Sequence, residues 1–334
     1  MVTCNLRLLC EGCAVREITE HISTASMKNL VSKDDSVYDI NKLPENYHQI
    51  FEDFKARWRI EDASIDIFQK YPEWLNKMPE ELAEIVNSLM AGFDYYTHRN
   101  VNERLVLLHQ KLQSIQEIDF DNTIYCALPN KEGRINSGYE YLIEYKMINN
   151  LSRYVVYPDL KSISSEEMSH IQNIVFVDDF CGTGKTLVDY VNIVEDLIQG
   201  KDIYYLVVHT MKNALKRLTQ YQSTKSFRIH VIYQICTGKA FERGFEPSNK
   251  RQDYKRLAVE YGLPSKNVLG FYNTEALVSF YNDTPNNTLE IFWKDTKENE
   301  ALFPRKNDEK PSWKDLNKKK KIRNNSNYLN GCNK

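Results

Sequence analysis

Residues 174–186 of the chain read Ile174-Val175-Phe176-Val177-Asp178-Asp179-Phe180-Cys181-Gly182-Thr183-Gly184-Lys185-Thr186. The four apolar residues predict a buried strand, and the two acids lie at its end. A short loop of glycine and threonine follows and leads into a predicted helix. Glycines let backbone N–H groups approach an anion, and the start of a helix is electropositive. This layout is therefore typical of a phosphate-binding loop.

The segments around this motif predict an alternation of strands and helices. Short apolar runs predict strands at 123–128, 154–157, 174–177, 203–208 and 228–235, with further short strands at 267–272 and 276–281. Helices are predicted from Ser137 onward, over 186–198 and over 214–221. Because parallel neighbours need crossovers, we expect an α/β fold with a parallel, doubly wound sheet and helices on both faces. Ligands bind such sheets at the carboxyl ends of the strands.

The sequence pattern divides the chain into four predicted parts. Residues 1–40 lack periodicity and are predicted to be an N-terminal extension. Residues 41–118 repeat apolar residues every three or four positions, which predicts a helical region. Residues 119–300 form the predicted α/β domain, and residues 301–334 are a basic tail that we expect to be disordered.

Composition excludes several classes of protein. The chain has 334 residues, 42% of them hydrophobic, and a net charge of -2, so it is neither a disordered chain nor a polycation. Its apolar runs, such as residues 204–208, are far shorter than the roughly 20 residues that cross a bilayer. No signal peptide is predicted, and seven scattered cysteines fit a reducing compartment. We therefore expect a cytoplasmic protein without a membrane partner.

Two terminal features suggest further ligands. Cys4, Cys10, Cys13 and His21 are zinc-ligand types, but their spacing matches no regular zinc motif. Ordinary reduced thiols are the alternative, and we assign no metal site. The nine basic and three acidic residues from Arg305 to Arg323 predict contact with nucleic acid or an acidic partner, with a solubilising tail as the alternative.

The triplet Gly184-Lys185-Thr186 suggests a second interpretation, the P-loop of an NTPase. The first glycine of that motif would fall on Asp179, whose carboxylate would face the triphosphate. Adjacent carboxylates at the end of a strand instead suit the vicinal hydroxyls of a ribose whose phosphate lies a few ångströms away. The motif thus favours a ribose phosphate over a nucleoside triphosphate.

The whole motif resembles the fingerprint of the type I phosphoribosyltransferases, which is an apolar strand, two acids, two apolar residues and a small Thr/Gly loop. Phe180, Gly182 and Lys185 depart from the usual residues. With residues 276–288 and 292–293, this variation is similar to phosphoribosyltransferase-like effectors of bacterial conflict and defence systems, some of them retron-associated. The resemblance covers about residues 119–295.

The resemblance implies a set of site residues. Asp178 and Asp179 would bind the ribose hydroxyls of phosphoribosyl pyrophosphate or of a nucleotide. The residues that would bind the 5′-phosphate are Gly182, Thr183, Gly184, Lys185 and Thr186. Mg²⁺ would bridge the pyrophosphate and ribose oxygens. Candidates for the pyrophosphate loop are Lys131, Arg134 and Ser137, with a solvated basic loop as the alternative. Candidates for contact with the base are Asn286, Asn287 and Trp293. Trp293 is also a candidate for the hydrophobic core.

One part of the family pattern is missing from this sequence. Many type I transferases have a mobile loop rich in glycine and basic residues before the fingerprint strand. Residues 159–173 here have no glycine and only Lys161 and His170 as basic groups. Glycosyl transfer, nucleotide hydrolysis and nucleotide binding without turnover therefore all stay open.

The resemblance also implies a biological setting. We expect a toxic effector of an anti-phage, retron-like system, whose basic tail contacts a reverse transcriptase or nucleic-acid complex. The alternative is a catalytically idle nucleotide-binding or scaffold subunit of a larger defence complex.

Overall fold

The computed structural model describes residues 40–58, 62–129, 137–245, 249–264 and 266–305. It begins with a layer of helices and one short strand: α1 (Glu45–Trp58), α2 (Asp62–Asn76), α3 (Glu80–Met90), β1 (Asp94–Tyr96) and α4 (His98–Gln113). On α1, the buried Phe51, Phe54 and Trp58 recur at three and four residues, which is the spacing of one helix face. Thr97 caps α4 through a capping box with Asn100, which fixes where this helix starts.

A five-stranded parallel sheet follows. Its strands are β2 (Thr123–Cys126), β3 (Val156–Tyr157), β4 (Asn173–Cys181), β5 (Asp202–Met211) and β6 (Arg228–Thr237), in the order β3-β2-β4-β5-β6. The crossovers are made by α5 (Ser137–Ile148), α6 (Ser165–His170), α7 (Lys185–Ile193) with α8 (Glu195–Ile198), and α9 (Lys212–Gln222). All nine residues of β4 are buried, as in a central strand covered on both faces. The predicted α/β class with a parallel sheet is confirmed.

The last part of the chain returns to the helical layer. It contains α10 (Lys250–Glu260) and β7 (Val278–Phe280), together with short 3₁₀ turns at Ala240–Glu242, Phe271–Asn273 and Glu290–Phe292. Strand β7 pairs in parallel with β1, so two three-residue strands far apart in the sequence form a small second sheet.

The apolar interior has two parts. One core lies around the five-stranded sheet and includes α4, and the other joins residues 43–95 to residues 240–303. Strand β1 contributes to both, because Tyr95 belongs to the second core and Tyr96 to the first. The division predicted at residue 118 stays a prediction, although the packing itself does not change there.

Four details differ from the sequence predictions. The strand predicted at 174–177 continues through Asp178 and Asp179 to Cys181, so the two acids lie within the strand and not at its end. The strand predicted at 267–272 is wrong, because Gly270 and Tyr272 have φ values of +75° and +56°, outside the extended region. The strand predicted at 276–281 is shorter and pairs with β1, a strand that no pattern indicated. Helix α10 was not predicted, whereas helix α2, which contains Pro72, lies within the predicted helical region 41–118.

None of the helices in the described part of the chain is both long enough and apolar enough to span a membrane.

Candidate phosphate-binding site

Strand β4 extends beyond its neighbour β2 at the carboxyl edge of the sheet. The last residues paired between them are Cys126 and Phe176, whereas β4 and β5 remain paired as far as Cys181 and Thr210. The second half of β4 therefore has a neighbour on one side only. This opening at the carboxyl ends of parallel strands is where such sheets bind ligands.

Asp178 and Asp179 lie in that extension of β4. Asp178 accepts hydrogen bonds from the hydroxyl of Tyr205 at 2.7 Å and from the backbone N–H of Asp179 at 3.1 Å. Asp179 accepts from the backbone N–H of Phe180 at 2.8 Å and from the hydroxyl of Ser137 at 3.4 Å. Only 7% and 8% of the two residues is exposed, so both carboxyl groups are buried and hydrogen-bonded.

Burial controls the charge of this pair. Loss of solvent is the main reason that the pKa of both carboxyl groups is raised. The pKa of Asp179 is raised further because the charge of Asp178 lies beside it. A ligand that brings hydroxyl donors or a cation would favour the ionised pair. A raised pKa from burial and a charged neighbour is typical of functional sites.

The loop that follows β4 opens helix α7. Gly184 is its N-cap residue, with φ +67° and ψ 4°, a left-handed conformation that suits glycine. Gly184 has no side chain that could cap the N–H groups of α7. The N–H of Lys185 donates to the Thr183 hydroxyl at 3.3 Å. The first N–H groups of a helix have no intrahelical partner, and they bind phosphate readily.

Gly182 packs closely against the C-terminal segment, residues 271–303, at Asn287. A Cβ at this position would lie 2.4 Å from Cγ of Asn287, closer than packed atoms allow. The Asn287 amide donates to the Thr274 hydroxyl at 2.9 Å and to the Phe271 carbonyl at 3.4 Å. Glycine at 182 therefore lets residues 271–287 cross against the loop.

A cavity of about 610 Å³ opens beside the loop. Its walls include Gly182, Thr183, Gly184, Lys185 and Thr186, together with Asp159 and Lys161 after β3 and Asn286 and Asn287 from the C-terminal segment. Asp178 and Asp179 are not part of the wall. Tyr205, which donates to Asp178, is part of it, so a phenol hydroxyl stands between that acid and the cavity.

The charges of the cavity wall are only partly paired. Lys185 Nζ lies 2.8 Å and 2.9 Å from the two carboxylate oxygens of Asp189, one turn further along α7. Asp159 accepts a hydrogen bond from the Tyr190 hydroxyl at 2.6 Å. Lys161 has no ion-pair partner among the described residues, and its ammonium is therefore available to an anion in the cavity.

The structure describes only some of the predicted pyrophosphate and base residues. Lys131 and Arg134 lie outside the described residues, while Ser137 contacts Asp179. Asn286 and Asn287 lie in the cavity wall. Trp293 is not in the wall, and its indole N–H donates to the Thr288 carbonyl at 2.9 Å. These assignments stay predictions.

The terminal features also lie outside the description. Cys4, Cys10, Cys13, His21 and the tail beyond residue 305 are not among the described residues. Within the described ranges, no group of three His, Cys, Asp or Glu side chains is placed to hold a metal ion.

Some residues of the wall were not predicted from the sequence. Asp159 and Lys161 follow β3, and the rule that places ligands at the carboxyl ends of parallel strands would have indicated them. Phe271 belongs to a segment predicted as a strand, where no pattern indicated a site. Tyr205 lies within the apolar run of β5 and reads as a core residue.

The family model PRTase-CE matches residues 71–305. The chain belongs to the PRTase-CE family. Its motif at 174–186 and its parallel sheet agree with the predicted type I phosphoribosyltransferase-like fold, which the family match supports; the chain is a phosphoribosyltransferase-like protein.

This PRTase-CE chain is similar to the solved structure of a Helicobacter pylori Xanthine-Guanine-Hypoxanthine Phosphoribosyltransferase, with 12% identity and a TM-score of 0.28. The similarity covers 48% of this chain and 95% of that one. No curated protein matches the chain.

Proposed function

We propose that this PRTase-CE chain binds a 5-phosphorylated ribose compound, either phosphoribosyl pyrophosphate or a nucleotide, at the carboxyl end of β4. The observation that carries the proposal is the loop from Gly182 to Thr186, which opens helix α7 and lines a cavity of about 610 Å³. The 5′-phosphate would bind to the loop amides and to the hydroxyls of Thr183 and Thr186.

The paired acids supply the ribose contacts in this proposal. Asp178 and Asp179 would accept hydrogen bonds from the 2′ and 3′ hydroxyls, as adjacent carboxylates can. Both are buried below the loop, so the Tyr205 hydroxyl has to give up or share its bond to Asp178 when the ribose binds. Lys161 in the cavity wall offers a cation to a pyrophosphate group.

Mg²⁺ is part of the same proposal. The described residues provide two neighbouring carboxylates, Asp178 and Asp179, and no cluster of three metal-ligating side chains. This donor set fits Mg²⁺, which protein sites often hold through one or two carboxylates plus the phosphates of a substrate. When bound, the ion would neutralise charge on a departing pyrophosphate.

Ligand binding to the full chain tests the proposal. Ribose 5-phosphate, phosphoribosyl pyrophosphate and 5′-nucleotides with Mg²⁺ are compared with ribose and nucleosides by calorimetry and thermal shift. We expect only the phosphorylated compounds to bind, and the variant Thr183→Val to weaken their affinity several-fold because one phosphate hydrogen bond is lost. Asp196→Asn, an exposed acid of α8, is the matched control. Equal responses to ribose and ribose 5-phosphate would contradict the proposal.

One observation favours the second candidate, a subunit that binds the nucleotide without turning it over. Residues 159–173, where many type I transferases have a mobile loop and this sequence lacks its glycine and basic residues, fold into a turn at Leu160–Ser162 and helix α6. A capping box between Ser164 and Glu167 fixes the start of α6. Pyrophosphate release from phosphoribosyl pyrophosphate, or base release from a nucleotide, separates the two candidates. Binding without either release would favour the idle subunit.

The biological setting is the most specific part of the proposal. We infer from the resemblance of the motif a toxic effector of an anti-phage, retron-like system that acts with a reverse transcriptase or nucleic-acid complex. Expression in bacteria tests it. The wild-type chain with its natural partners should arrest growth on infection, while the Asp178→Asn, Asp179→Asn double variant should not. Equal arrest by both would contradict an effector role for this site.

A further inference from the structure

A second, smaller cavity lies on the far side of the phosphate loop. It has a volume of about 180 Å³ and shares Gly182 and Thr183 with the larger cavity. Its other walls are Asn213, Arg217, Lys239 and residues 272–274. The proposed function uses none of these residues, although they adjoin the loop on which it rests.

Helix α9 provides an unpaired set of positive charges beside this cavity. Lys212, Lys216 and Arg217 are exposed on α9, and this helix contains no acidic residue. None of the three has an ion-pair partner among the residues that the structure describes. By contrast, Arg256 on α10 pairs with Glu260 one turn away on its own helix. The face of α9 is therefore a local positive surface on a chain whose net charge is -2.

Lys239 extends the positive charge across the cavity. Its ammonium lies 3.6 Å from Glu275, a carboxylate that is 1% exposed. Arg251 already binds that carboxylate at 2.7 Å. Two cations thus share a single buried acid, so Glu275 neutralises the charge of Lys239 only in part.

Two aromatic rings stand out from the same surface. Phe271 and Tyr272 are 37% and 65% exposed, with ring centroids 4.5 Å apart and an interplanar angle of 90°. Tyr272 has φ +56° and ψ 27°, an unfavourable conformation for a bulky residue. Such strain persists only where the surrounding fold imposes it, and it is concentrated at functional sites.

Backbone hydrogen bonds hold this loop in place. Phe271 N–H donates to the Asn286 carbonyl at 2.8 Å, and Glu275 N–H donates to the Leu269 carbonyl at 3.0 Å. The fold therefore imposes a strained backbone and presents two aromatic rings to solvent instead of burying them.

We propose that this basic-aromatic surface, formed by Lys212, Lys216, Arg217, Lys239, Phe271 and Tyr272, binds single-stranded nucleic acid. The cations contact phosphates, and Tyr272 stacks on an unpaired base. A duplex keeps its bases stacked inside, so the exposed rings favour a single strand. This inference goes beyond the proposed function and does not rest on it.

The test measures the binding of labelled oligothymidylate and oligouridylate of about 12 nucleotides to the full chain by fluorescence anisotropy, from about 50 to 200 mM salt. We expect binding that weakens with salt. The double variant Lys216→Ala, Arg217→Ala should reduce the slope of log K against log salt by about 1.4, because it removes two phosphate contacts. Tyr272→Ala should weaken binding about tenfold with an unchanged slope, because it removes a stacked base and no charge.

Tyr154 and Arg153 offer a matched control. Tyr154 is 74% exposed, with the Arg153 guanidinium 4.9 Å from its ring centroid, next to β3 and thus at the opposite edge of the sheet from β6. Tyr154→Ala and Arg153→Ala should leave binding unchanged. A loss equal to that of Tyr272→Ala would overturn the assignment.

Other outcomes would also overturn the inference. No binding at about 50 mM salt, or tighter binding of a duplex than of the single strand, would contradict it. Wild-type binding by both surface variants would assign the contact to the basic tail instead. Equal competition by polyglutamate would indicate an acidic protein partner. Failure of ribose 5-phosphate to bind would leave this inference intact while removing the proposed function.

Discussion

At the scale of single residues, Asp179 determines how the site responds to pH. Its pKa is raised by burial and by the neighbouring Asp178, so the ligand-free fold holds a proton that the unfolded chain loses above about pH 4. The contribution of Asp179 to the free energy of unfolding is therefore most favourable at low pH. It falls as pH rises through the raised pKa of the folded state.

We predict that Asp179→Asn stabilises the ligand-free protein by on the order of 1 kcal/mol at neutral pH, because asparagine is neutral without the cost of protonating or burying a carboxylate. The gain should grow as the pH rises from about 4 toward neutrality, since asparagine has no proton to lose. Urea unfolding of both proteins over this range measures the difference, with Asp196→Asn as the exposed control. A difference that does not vary with pH would contradict the prediction.

Gly182 gives a second prediction at the residue scale. Gly182→Ala would place its Cβ 2.4 Å from Cγ of Asn287 and displace the amide from the Thr274 hydroxyl. We expect a loss of about 1 to 3 kcal/mol in the free energy of unfolding. Gly182→Ala combined with Asn287→Ala should lose less than the sum of the two single losses, because the collision disappears. Additive losses from thermal or urea unfolding would show that the two side chains do not collide.

For Asp178, Asp179 and the loop at 182–186, the sequence predicted the chemical role better than the exposure of the side chains to the cavity. The acids and the Gly/Thr loop follow an apolar run, and that order predicts the acids at the end of a strand, whereas β4 continues through both acids to Cys181. Whether a strand-end acid faces a cavity depends on how far the neighbouring strands extend. Here β2 ends at Cys126 while β4 continues to Cys181, and the Tyr205 hydroxyl of β5 covers Asp178. Such partners come from distant parts of the chain, which local patterns do not encode.

At the scale of elements, helix α7 couples the phosphate loop to a charge pair. Lys185 in the first turn is neutralised by Asp189 one turn later, and both line the larger cavity. The acid therefore competes with any phosphate for the ammonium group.

We predict opposite effects of removing the two partners. Asp189→Asn should tighten the binding of ribose 5-phosphate several-fold by freeing Lys185, whereas Lys185→Ala should weaken it by a similar factor by exposing the phosphate to Asp189. Calorimetry at low salt measures both variants, and added salt should shrink both effects. Changes in the same direction would assign the pair a purely structural role.

The elements that were mispredicted have a common physical cause. Periodic apolar runs predicted the positions of the central strands and helices correctly, because buried elements need apolar residues at regular spacing. Residues 267–272 are also apolar, but positive φ values at Gly270 and Tyr272 turn the chain, and the hydrogen bonds that hold this turn come from residue 286. Strand β1 has three residues and exists through its pairing with β7. Both outcomes depend on contacts between distant segments, which outweigh local propensity.

At the scale of the whole molecule, the C-terminal segment completes the second core. The Phe303 ring stacks on Phe93 with centroids 4.6 Å apart, and it also lies 5.6 Å from Tyr95 and 5.8 Å from Trp58. We predict that Phe303→Ala lowers the free energy of unfolding by about 3 to 5 kcal/mol, the usual cost of a large buried cavity.

The same experiment tests whether the two cores unfold together. In a protein carrying Trp293→Phe and Trp313→Phe, the remaining tryptophans are Trp58 and Trp74, which lie in the second core. Their fluorescence then reports on that core, while far-ultraviolet circular dichroism reports on all the helices and strands. Because β1 contributes Tyr95 and Tyr96 to different cores, we expect the two signals to change at one common midpoint, shifted down in Phe303→Ala. Separate midpoints would contradict this coupling. Val259→Ala, at a residue that is 37% exposed, is the control.

The shared second core has a consequence for how the chain is made. Translation proceeds from the amino terminus, and domains usually fold as they leave the ribosome. The aromatic faces of α1 and α2 are synthesised before the five-stranded sheet, whereas residues 240–303, which pack against them, are synthesised after it. During that interval the nascent helices expose apolar surface, so we predict that a ribosome-associated chaperone or slow synthesis at low temperature will raise the yield of folded protein.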